Sequence, residues 1–527
     1  MLTMIIGGLL VAWSKKTLIT GALTLTAANI ITRLIGFAYR IFMADAVGAA
    51  GMGLIQLIMP IYSLAWAISC SGITTTLSRL VASEQAKGEH GNMRRLLAIS
   101  LLMTGTLSLA MTVVLYFGAY AIGAGILNEP RIVMALRILS FSFVFMALGS
   151  CLRGYFLGLQ KTIVPAVSQI IEQLARIGVI MLLASVFIPR GLEYAAAMAV
   201  IGIVLGEFLS CVYVFGAYKL AKRRGANATM SATMGKRTAF FAIGAMALPL
   251  TLNRITSSFL STVENVMIPG RLQAFGMAAD EAMAMFGQVT GMAMPLIFFP
   301  SAVLVALSIS LVPSIAESVT LGENKRVRAT ITKSITFTCV VAFAAAAIFV
   351  VFPYEIGQLV YRQNLAQILL ILGLMCPLWY LNITLSGVLS GLGEQIFIFR
   401  TSLMASGINI AFVFFLVPQV GIYAFLTGWF ISLALVSIFS IRRLKVKTGV
   451  KTRLGTWLLK PAIAATLAGL LTNLMHDTII TRLTTGIPAL IIALITMMII
   501  YTMCIMLLGI VKASDLKELM PNKKTAD

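Results

Sequence analysis

The sequence is poor in charge and almost empty of histidine. Only 11% of its 527 residues are charged, and it contains two histidines. This scarcity of charge, together with 59% hydrophobic residues and a mean hydropathy of +0.98, excludes an ordinary soluble globular fold. The chain has fewer acidic than basic residues, 18 against 40, so its net charge is +22.

Residue patterns that carry chemistry are also missing. The six cysteines lie in apolar segments without metal-ligand spacing, which predicts small packing residues. We find no phosphate-binding glycine loop and no nucleophile with a nearby base. We therefore expect no catalytic residue, no metal, no cofactor and no enzymatic activity.

Long apolar runs fill the chain instead. A run of about 20 residues crosses the roughly 30 Å hydrocarbon core as a helix. Their continuous apolarity favours helices over a barrel, whose strands alternate. The sequence predicts an all-α polytopic membrane protein of about fourteen spans: 17–43, 53–77, 96–121, 132–152, 163–188, 194–218, 238–268, 285–312, 331–352, 365–391, 396–417, 421–441, 457–475 and 484–510.

The basic residues predict the orientation of these spans. Thirty of the forty Lys and Arg residues, Arg153 among them, fall on alternate loops and the termini. Because Lys and Arg near span ends are retained on the inside, both termini are predicted to be cytoplasmic. The excess charge then indicates contact with anionic lipids at the cytoplasmic loops, and no nucleic-acid partner.

An internal repeat divides the chain. Leu77, Gly88 and Glu89 recur 234 positions later as Leu311, Gly322 and Glu323, and Gly154 and Gly158 recur 233 positions later as Gly387 and Gly391. Two six-helix repeats around a central cavity, followed by a C-terminal helix pair, are typical of a transporter. The predicted organisation is an N-terminal stub at 1–16, an N-lobe at 17–222, a cytoplasmic linker at 223–237, a C-lobe at 238–441, a basic linker at 442–456, an accessory helix pair at 457–510 and a cytoplasmic tail at 511–527.

Charged residues inside the predicted spans are the candidate site. Such charges cost about 3 kcal/mol each at the bilayer centre and normally face a cavity or each other. Arg33 with Asn29, and Arg254 with Asn253, form polar clusters in the first span of each repeat. Glu172 and Arg176 are spaced to pair on one helix face. The candidates for substrate binding are Asn29, Arg33, Arg40, Arg176, Asn253 and Arg254, and those for coupling or gating are Glu172, Glu207 and Glu264.

Each candidate has a structural alternative. Arg40, Arg137 and Glu264 lie near the outer ends of their spans, where a long side chain can reach water. Glu172 and Arg176 could be an ion pair that only makes insertion tolerable. Glu207 has no basic residue within one turn, so it either carries a proton or meets an arginine of another helix.

Several motifs resemble one family closely. The stretch 152–160, Leu-Arg-Gly-Tyr-Phe-Leu-Gly-Leu-Gln, followed by Pro165, 168–173 and Arg176, resembles the stage V sporulation protein B family, as do 32–37, Pro300-Ser301 and 311–314. That family is similar to the lipid II flippases, whose span-one arginine Arg33 matches. Their second-span arginine has no counterpart between Gly53 and Leu77.

The resemblance implies a two-lobe, alternating-access flippase for an undecaprenyl-pyrophosphate-linked peptidoglycan precursor, lipid II, used for the spore cortex. The implied location is the bacterial cytoplasmic membrane, and we expect a monomer that also contacts cell-wall synthesis enzymes. The alternatives are an exporter of another lipid-linked oligosaccharide, a drug or cation antiporter of the same fold, and a non-transporting membrane scaffold for cell-wall enzymes.

Overall fold

The protein is a helical, multi-pass membrane protein. The computed structural model describes residues 2–224, 233–476, 478 and 486–510, with side chains from Ala28 onward apart from those of Arg224 and Ile487. In this part of the chain the regular structure is entirely helical, as predicted. The C-terminal tail, the linker segment 225–232 and most of the stretch 477–485 lie outside the described residues.

The helices divide into two compact units, residues 1–287 and 288–527. The first contains α1 Leu2–Trp66, α2 Gly72–Ala86, α3 His90–Tyr120, α4 Val133–Ser140, α5 Ser142–Gly158, α6 Ile163–Phe187, α7 Leu192–Arg224, α8 Lys236–Ala274 and α9 Ala279–Phe286. The second contains α10 Met294–Phe298, α11 Ala302–Thr320, α12 Asn324–Val351, α13 Pro353–Tyr361, α14 Ala366–Gly391, α15 Gln395–Ala411, α16 Val417–Val420, α17 Ile422–Thr448, α18 Lys460–Met475 and α19 Ile487–Leu507.

Twelve of the described helices are long and apolar enough to cross a membrane, or thirteen if the bent pair α4 and α5 is one span. This count treats 28–86 as a single 59-residue helix. At 1.5 Å per residue that helix is about 88 Å long, nearly three times the hydrocarbon thickness. Gly48 interrupts it with a φ of 66°, a backbone conformation that glycine adopts at low cost. The count of fourteen spans stays a prediction.

The predicted span at 285–312 is not one continuous helix, which corrects the sequence interpretation. A π-helical segment, Gly287–Ala293, is followed by α10, a break at Pro300 and Ser301, and then α11. Proline removes a backbone donor and clashes with the preceding turn, so Pro300 ends α10. Pro295 is compatible with α10 because it occupies the first turn.

The repeated glycines perform the same packing task in both units. A Cβ at Gly154 or Gly158 would press on the backbone of Thr74 or Ser78, so these glycines let α5 pack closely against α2. Gly387 and Gly391 do the same for α14 against α11. Two glycines four residues apart permit the close helix approach that stabilises packing inside a membrane.

Helix α8, which the repeat assigns to the second half, belongs to the first unit. The segment that immediately precedes α8 is hydrogen-bonded to the start of α3. The side-chain oxygen of Asn92 accepts a 2.9 Å hydrogen bond from the Met234 backbone N–H, and Arg95 donates to the Met234 carbonyl. The lobe boundaries predicted from the repeat remain a prediction.

Candidate functional site

A cluster of charged side chains lies among the membrane-spanning helices of the first unit. Gly202 and Gly206 of α7 bring this helix close to α6, because a Cβ at Gly206 would lie only 2.8 Å from the Glu172 carbonyl oxygen. This close packing places Glu207, the next residue of α7, beside the charged face of α6. We call Tyr62, Arg153, Glu172, Arg176 and Glu207 the charge cluster.

The predicted pair on α6 is formed. Arg176 Nη2 donates to Glu172 Oε1 at 2.8 Å, and both side chains are about one-fifth exposed, 21% and 20%. The other carboxylate oxygen of Glu172 lies 3.8 Å from Arg153 Nη1 of α5. Glu172 therefore lies between two guanidinium groups on different helices.

Arg153 is the central cation of the cluster. Its side chain is 15% exposed, and Nη2 lies 3.9 Å from Glu207 Oε2. Distances of 3.8–3.9 Å exceed those of hydrogen bonds. The directed hydrogen bonds of this guanidinium go instead to the hydroxyls of Ser210 and Ser150, both at 3.0 Å. Arg153 is thus shared by two carboxylates, while neutral hydroxyls position it.

Sequence reasoning missed Arg153. The predicted span ended at 152, which placed Arg153 among the cytoplasmic loop residues, but α5 continues through Arg153 to Gly158. The available signal was the pair Gly154 and Gly158, because glycines four residues apart are typical of a helix–helix contact, which indicates that the helix continues past Arg153.

Glu207 has a partner on another helix. Tyr62 Oη of α1 donates to Glu207 Oε1 at 2.5 Å, and the residue is only 3% exposed. The other oxygen, Oε2, is buried and accepts no hydrogen bond from the described residues. With both arginines and both glutamates charged and Tyr62 neutral, the charges of the cluster balance, so one added proton would leave the cluster with an excess positive charge.

Arg33 and Arg40 lie on the face of α1 that meets α6. A Cβ at Gly36 would lie 3.2 Å from the side-chain nitrogen of Gln173, so the two helices are close at this level. Residues three and four positions from Gly36 share its helix face. Arg33 is exposed and Arg40 half-buried, and Asn29 is exposed one turn before Arg33.

Arg254 of α8 lies outside the charge cluster and contacts the end of α1, the π-helical segment that follows it, and α2. Its Nη1 donates to the Ser71 carbonyl at 3.1 Å and its Nη2 to Thr75 Oγ1 at 3.5 Å. The guanidinium carbon lies 5.3 Å from the centre of the Trp66 ring, which is within range of a cation–π interaction. Ser71 ends a π-helical segment, a type of bulge that frees carbonyls and is frequent at functional sites.

The remaining candidates lie on α8 and α4. Asn253 is exposed next to Arg254, and its carbonyl accepts a hydrogen bond from Ser257 at 3.1 Å. Glu264 is half-buried on α8, and Arg137 is exposed on α4. Of the predicted residues, the structure gathers Glu172, Arg176 and Glu207 into one cluster with the unpredicted Arg153 and Tyr62.

Comparison with known proteins decides the family. Residues 18–319, more than half of the chain, match the model of the polysaccharide biosynthesis protein family. The chain belongs to this family. Stage V sporulation protein B of Bacillus subtilis (strain 168) is 30% identical over 416 residues, covering 78% of this chain and 80% of the relative.

Solved structures share the fold of this chain. The lipid II flippase MurJ in its inward closed conformation matches with a TM-score of 0.71 at 14% identity, covering 92% of this chain and 98% of that one. An inward-facing multidrug resistance MATE family transporter matches with a TM-score of 0.62, also at 14% identity, covering 82% and 100%. At such identities these similarities concern the fold alone.

Proposed function

We propose that this protein is an alternating-access flippase. It moves an undecaprenyl-pyrophosphate-linked peptidoglycan precursor, lipid II, across the bacterial cytoplasmic membrane for spore cortex synthesis. The observation that carries the proposal is the charge cluster, a nearly enclosed set of two arginines and two glutamates within membrane-spanning helices. Charges are retained at this depth when they serve a transport path. Family membership supports a lipid-linked glycan as the substrate class.

The pyrophosphate would be recognised by arginines of α1 and α6. Arginine binds phosphate oxygens through two parallel charge-assisted hydrogen bonds. Arg33 and Arg40 lie on the face of α1 that approaches α6, and Arg176 projects from α6. The Nε–H of Arg176 donates no hydrogen bond to the described residues, so one donor of its guanidinium is unused. Asn29 and Asn253, both exposed, add neutral donors.

The carboxylates would couple the cycle to protons. The single hydrogen bond to Glu207 leaves Oε2 as the position for a proton. Protonation there would weaken the attraction of Arg153 to Glu207, so Arg153 would then pair mainly with Glu172. A change of partner by a shared arginine is a two-position switch of the kind that alternating access requires. Glu264 remains a further gating candidate on α8.

The isoprenoid tail would use an apolar cavity in the second unit. This cavity of about 430 Å³ lies between α12, α14 and α18. Its lining is apolar except for Thr466 and Asn473, which suits a hydrocarbon chain. Helix α18 belongs to the predicted accessory pair, so this pair would help to hold the lipid.

A drug or cation antiporter is the second candidate, because the MATE transporter shares the fold. Small organic cations favour an acidic site without arginine. The charge cluster instead contains as many arginines as glutamates, and Arg33 is exposed nearby. The residues of the first unit therefore favour an anionic substrate.

The test is lipid II translocation by the purified protein in vesicles. Glu207→Gln keeps the acceptor for Tyr62 but cannot take up a proton, so we expect binding without translocation. Glu193→Gln, at the exposed start of the same helix, is the matched control and should translocate normally. Translocation of a fluorescent organic cation but not of lipid II would contradict the proposal.

A further inference from the structure

Four aromatic side chains form a cluster inside the second unit. The ring of Trp379 on α14 meets Phe298 of α10 edge-on, with centroids 4.2 Å apart, and Trp429 of α17 at 4.3 Å. Phe425 of α17 stacks on Trp429, with ring centroids 5.6 Å apart. The cluster fixes the two indoles, because each is in contact with a second aromatic ring.

Among the described residues, the indole N–H groups of Trp379 and Trp429 have no hydrogen-bond acceptor, and both side chains are half-buried. The indole nitrogen of Trp457, by contrast, is enclosed in the apolar core at the end of the same unit. The two N–H groups of the cluster therefore remain open to a partner.

An indole N–H without a partner is unexpected deep within a membrane span. Trp379 lies near the midpoint of the span Ala366–Gly391, whereas membrane tryptophans normally concentrate at the two interfaces. Exposing a donor to hydrocarbon costs about 1–3 kcal/mol. One turn after Trp379, Asn382 donates to the Leu433 carbonyl of α17 at 3.1 Å, and its own side-chain oxygen has no partner. Polar groups therefore gather beside the rings, deep within the span.

We infer that Trp379 and Trp429 form a sugar-binding platform that receives the glycan of a lipid-linked substrate. A pyranose ring has a face of C–H groups and a rim of hydroxyls. The aromatic faces match the first and the indole N–H groups match the second. The inference rests on the proposed function, because a lipid-linked glycan is the substrate, and it assigns the sugar to residues of the second unit.

The test compares two lipids that share the tail and the pyrophosphate. Lipid II carries the glycan, whereas undecaprenyl pyrophosphate does not, and the affinity of each is measured for the purified full-length protein. Trp379→Leu and Trp429→Leu should weaken lipid II binding about tenfold and leave undecaprenyl pyrophosphate unchanged, as expected for the loss of a stacking ring. Trp379→Phe keeps a ring and loses the N–H, so its affinity for lipid II should lie between those of the wild type and Trp379→Leu. Trp457→Leu is the matched control.

Thermal unfolding of each variant shows whether it is folded. Equal binding of both lipids by the wild type, or a preference for lipid II that survives both leucine variants, would overturn the platform and leave the flippase proposal standing. Binding of neither lipid by the wild type would overturn both. Binding of tetraphenylphosphonium that the leucine variants abolish would reassign the rings to a cation and overturn the platform.

Discussion

Arg153 of α5 and Glu207 of α7 face each other with 3.9 Å between Nη2 and Oε2, inside the first unit and without a hydrogen bond between them. A buried ion pair of this kind stabilises little compared with an apolar pair, because both charges have lost water. Removal of one partner is costly, however, because the other charge is then left buried. The separation of 3.9 Å also lets the pair separate without losing a directed bond.

A double-mutant cycle tests this relationship. Arg153→Met should lower the free energy of unfolding by about 3 kcal/mol, because Glu207 and Glu172 then lose a shared cation. Adding Glu207→Leu should recover part of this loss, because it removes one of the orphaned carboxylates. Denaturant unfolding in mixed micelles measures both. Strictly additive effects would show that the two residues do not interact.

Glu172 and Arg176 provide a second test, through their 2.8 Å ion pair on α6. Replacing both, Glu172→Leu with Arg176→Met, leaves no orphaned charge between them, so this protein should remain folded. We expect it to lose lipid II translocation, because Arg176 would bind pyrophosphate. Each single replacement should be less stable than the double one. Normal translocation by the double variant would show that the pair serves insertion only.

Arg33 and Arg254 should separate function from stability. Arg33 is exposed, so Arg33→Ala should abolish translocation and change the free energy of unfolding by less than about 0.5 kcal/mol. Arg254→Ala should lower the free energy of unfolding by about 1–3 kcal/mol, because the Ser71 carbonyl and Trp66 lose their partner. Arg254→Lys keeps the charge and should recover only part of this lost stability. A stable, inactive Arg254→Ala protein would instead assign Arg254 to the substrate.

The fold was predictable from apolar length and from the repeat, because both are local or periodic properties of the chain. The helical class follows from the first, and the recurrence of Gly154 as Gly387 from the second, whereas the packing role of these glycines emerged only from the structure. The break near Pro300 was visible as a residue type but not as a geometry.

The site was predictable only within one helix. Glu172 and Arg176 are four residues apart, so their pairing follows from helix periodicity. The contacts of Glu207 with Tyr62 of α1 and Arg153 of α5 join positions separated by many residues, so they depend on how these helices pack against α7. Sequence alone could therefore recognise Glu207 as a buried charge but could not name its partners.

A close contact between α1 and α9 gives a fourth prediction. A Cβ at Gly287 would overlap the carbonyl oxygen of Ala49, and one at Gly53 would overlap that of Met283. Gly53→Ala or Gly287→Ala should therefore separate these helices and destabilise the described conformation by about 1–3 kcal/mol, the usual range for overpacking.

Thermal unfolding, together with labelling of a cysteine placed near Gly48, at the half-buried Ala50, measures this effect. We expect a lower melting temperature and faster labelling. Gly270→Ala on α8 is the matched control, because a Cβ there meets no atom within 4 Å. It should be neutral or slightly stabilising, since alanine is the better helix former. Equal behaviour of all three variants would contradict a tight contact.

The last prediction concerns Glu394, which lies between the spans of the second unit. Its Oε1 lies 2.8 Å from Lys447 Nζ, and its Oε2 accepts hydrogen bonds from Arg443 at 2.8 and 3.0 Å. Hydrogen bonds from Lys447 and then from Arg443 hold the pKa of Glu394 below its ordinary value of 4.5. A carboxyl group whose pKa is lower in the folded state stabilises the protein above the unfolded pKa, and this contribution is lost as the pH falls through the folded pKa.

We therefore expect the wild type to lose stability as the pH is lowered from 7 to below 4.5, and Glu394→Gln to lose less over the same range. The measurement is the melting temperature as a function of pH. Glu323→Gln is the matched control, because the ion pair of Glu323 with Arg326 is exposed, 42% and 58%, and contributes little. The Glu323→Gln protein should follow the wild-type curve. An identical pH dependence for Glu394→Gln and the wild type would show that this junction of α14, α15 and α17 does not depend on the ionised carboxylate.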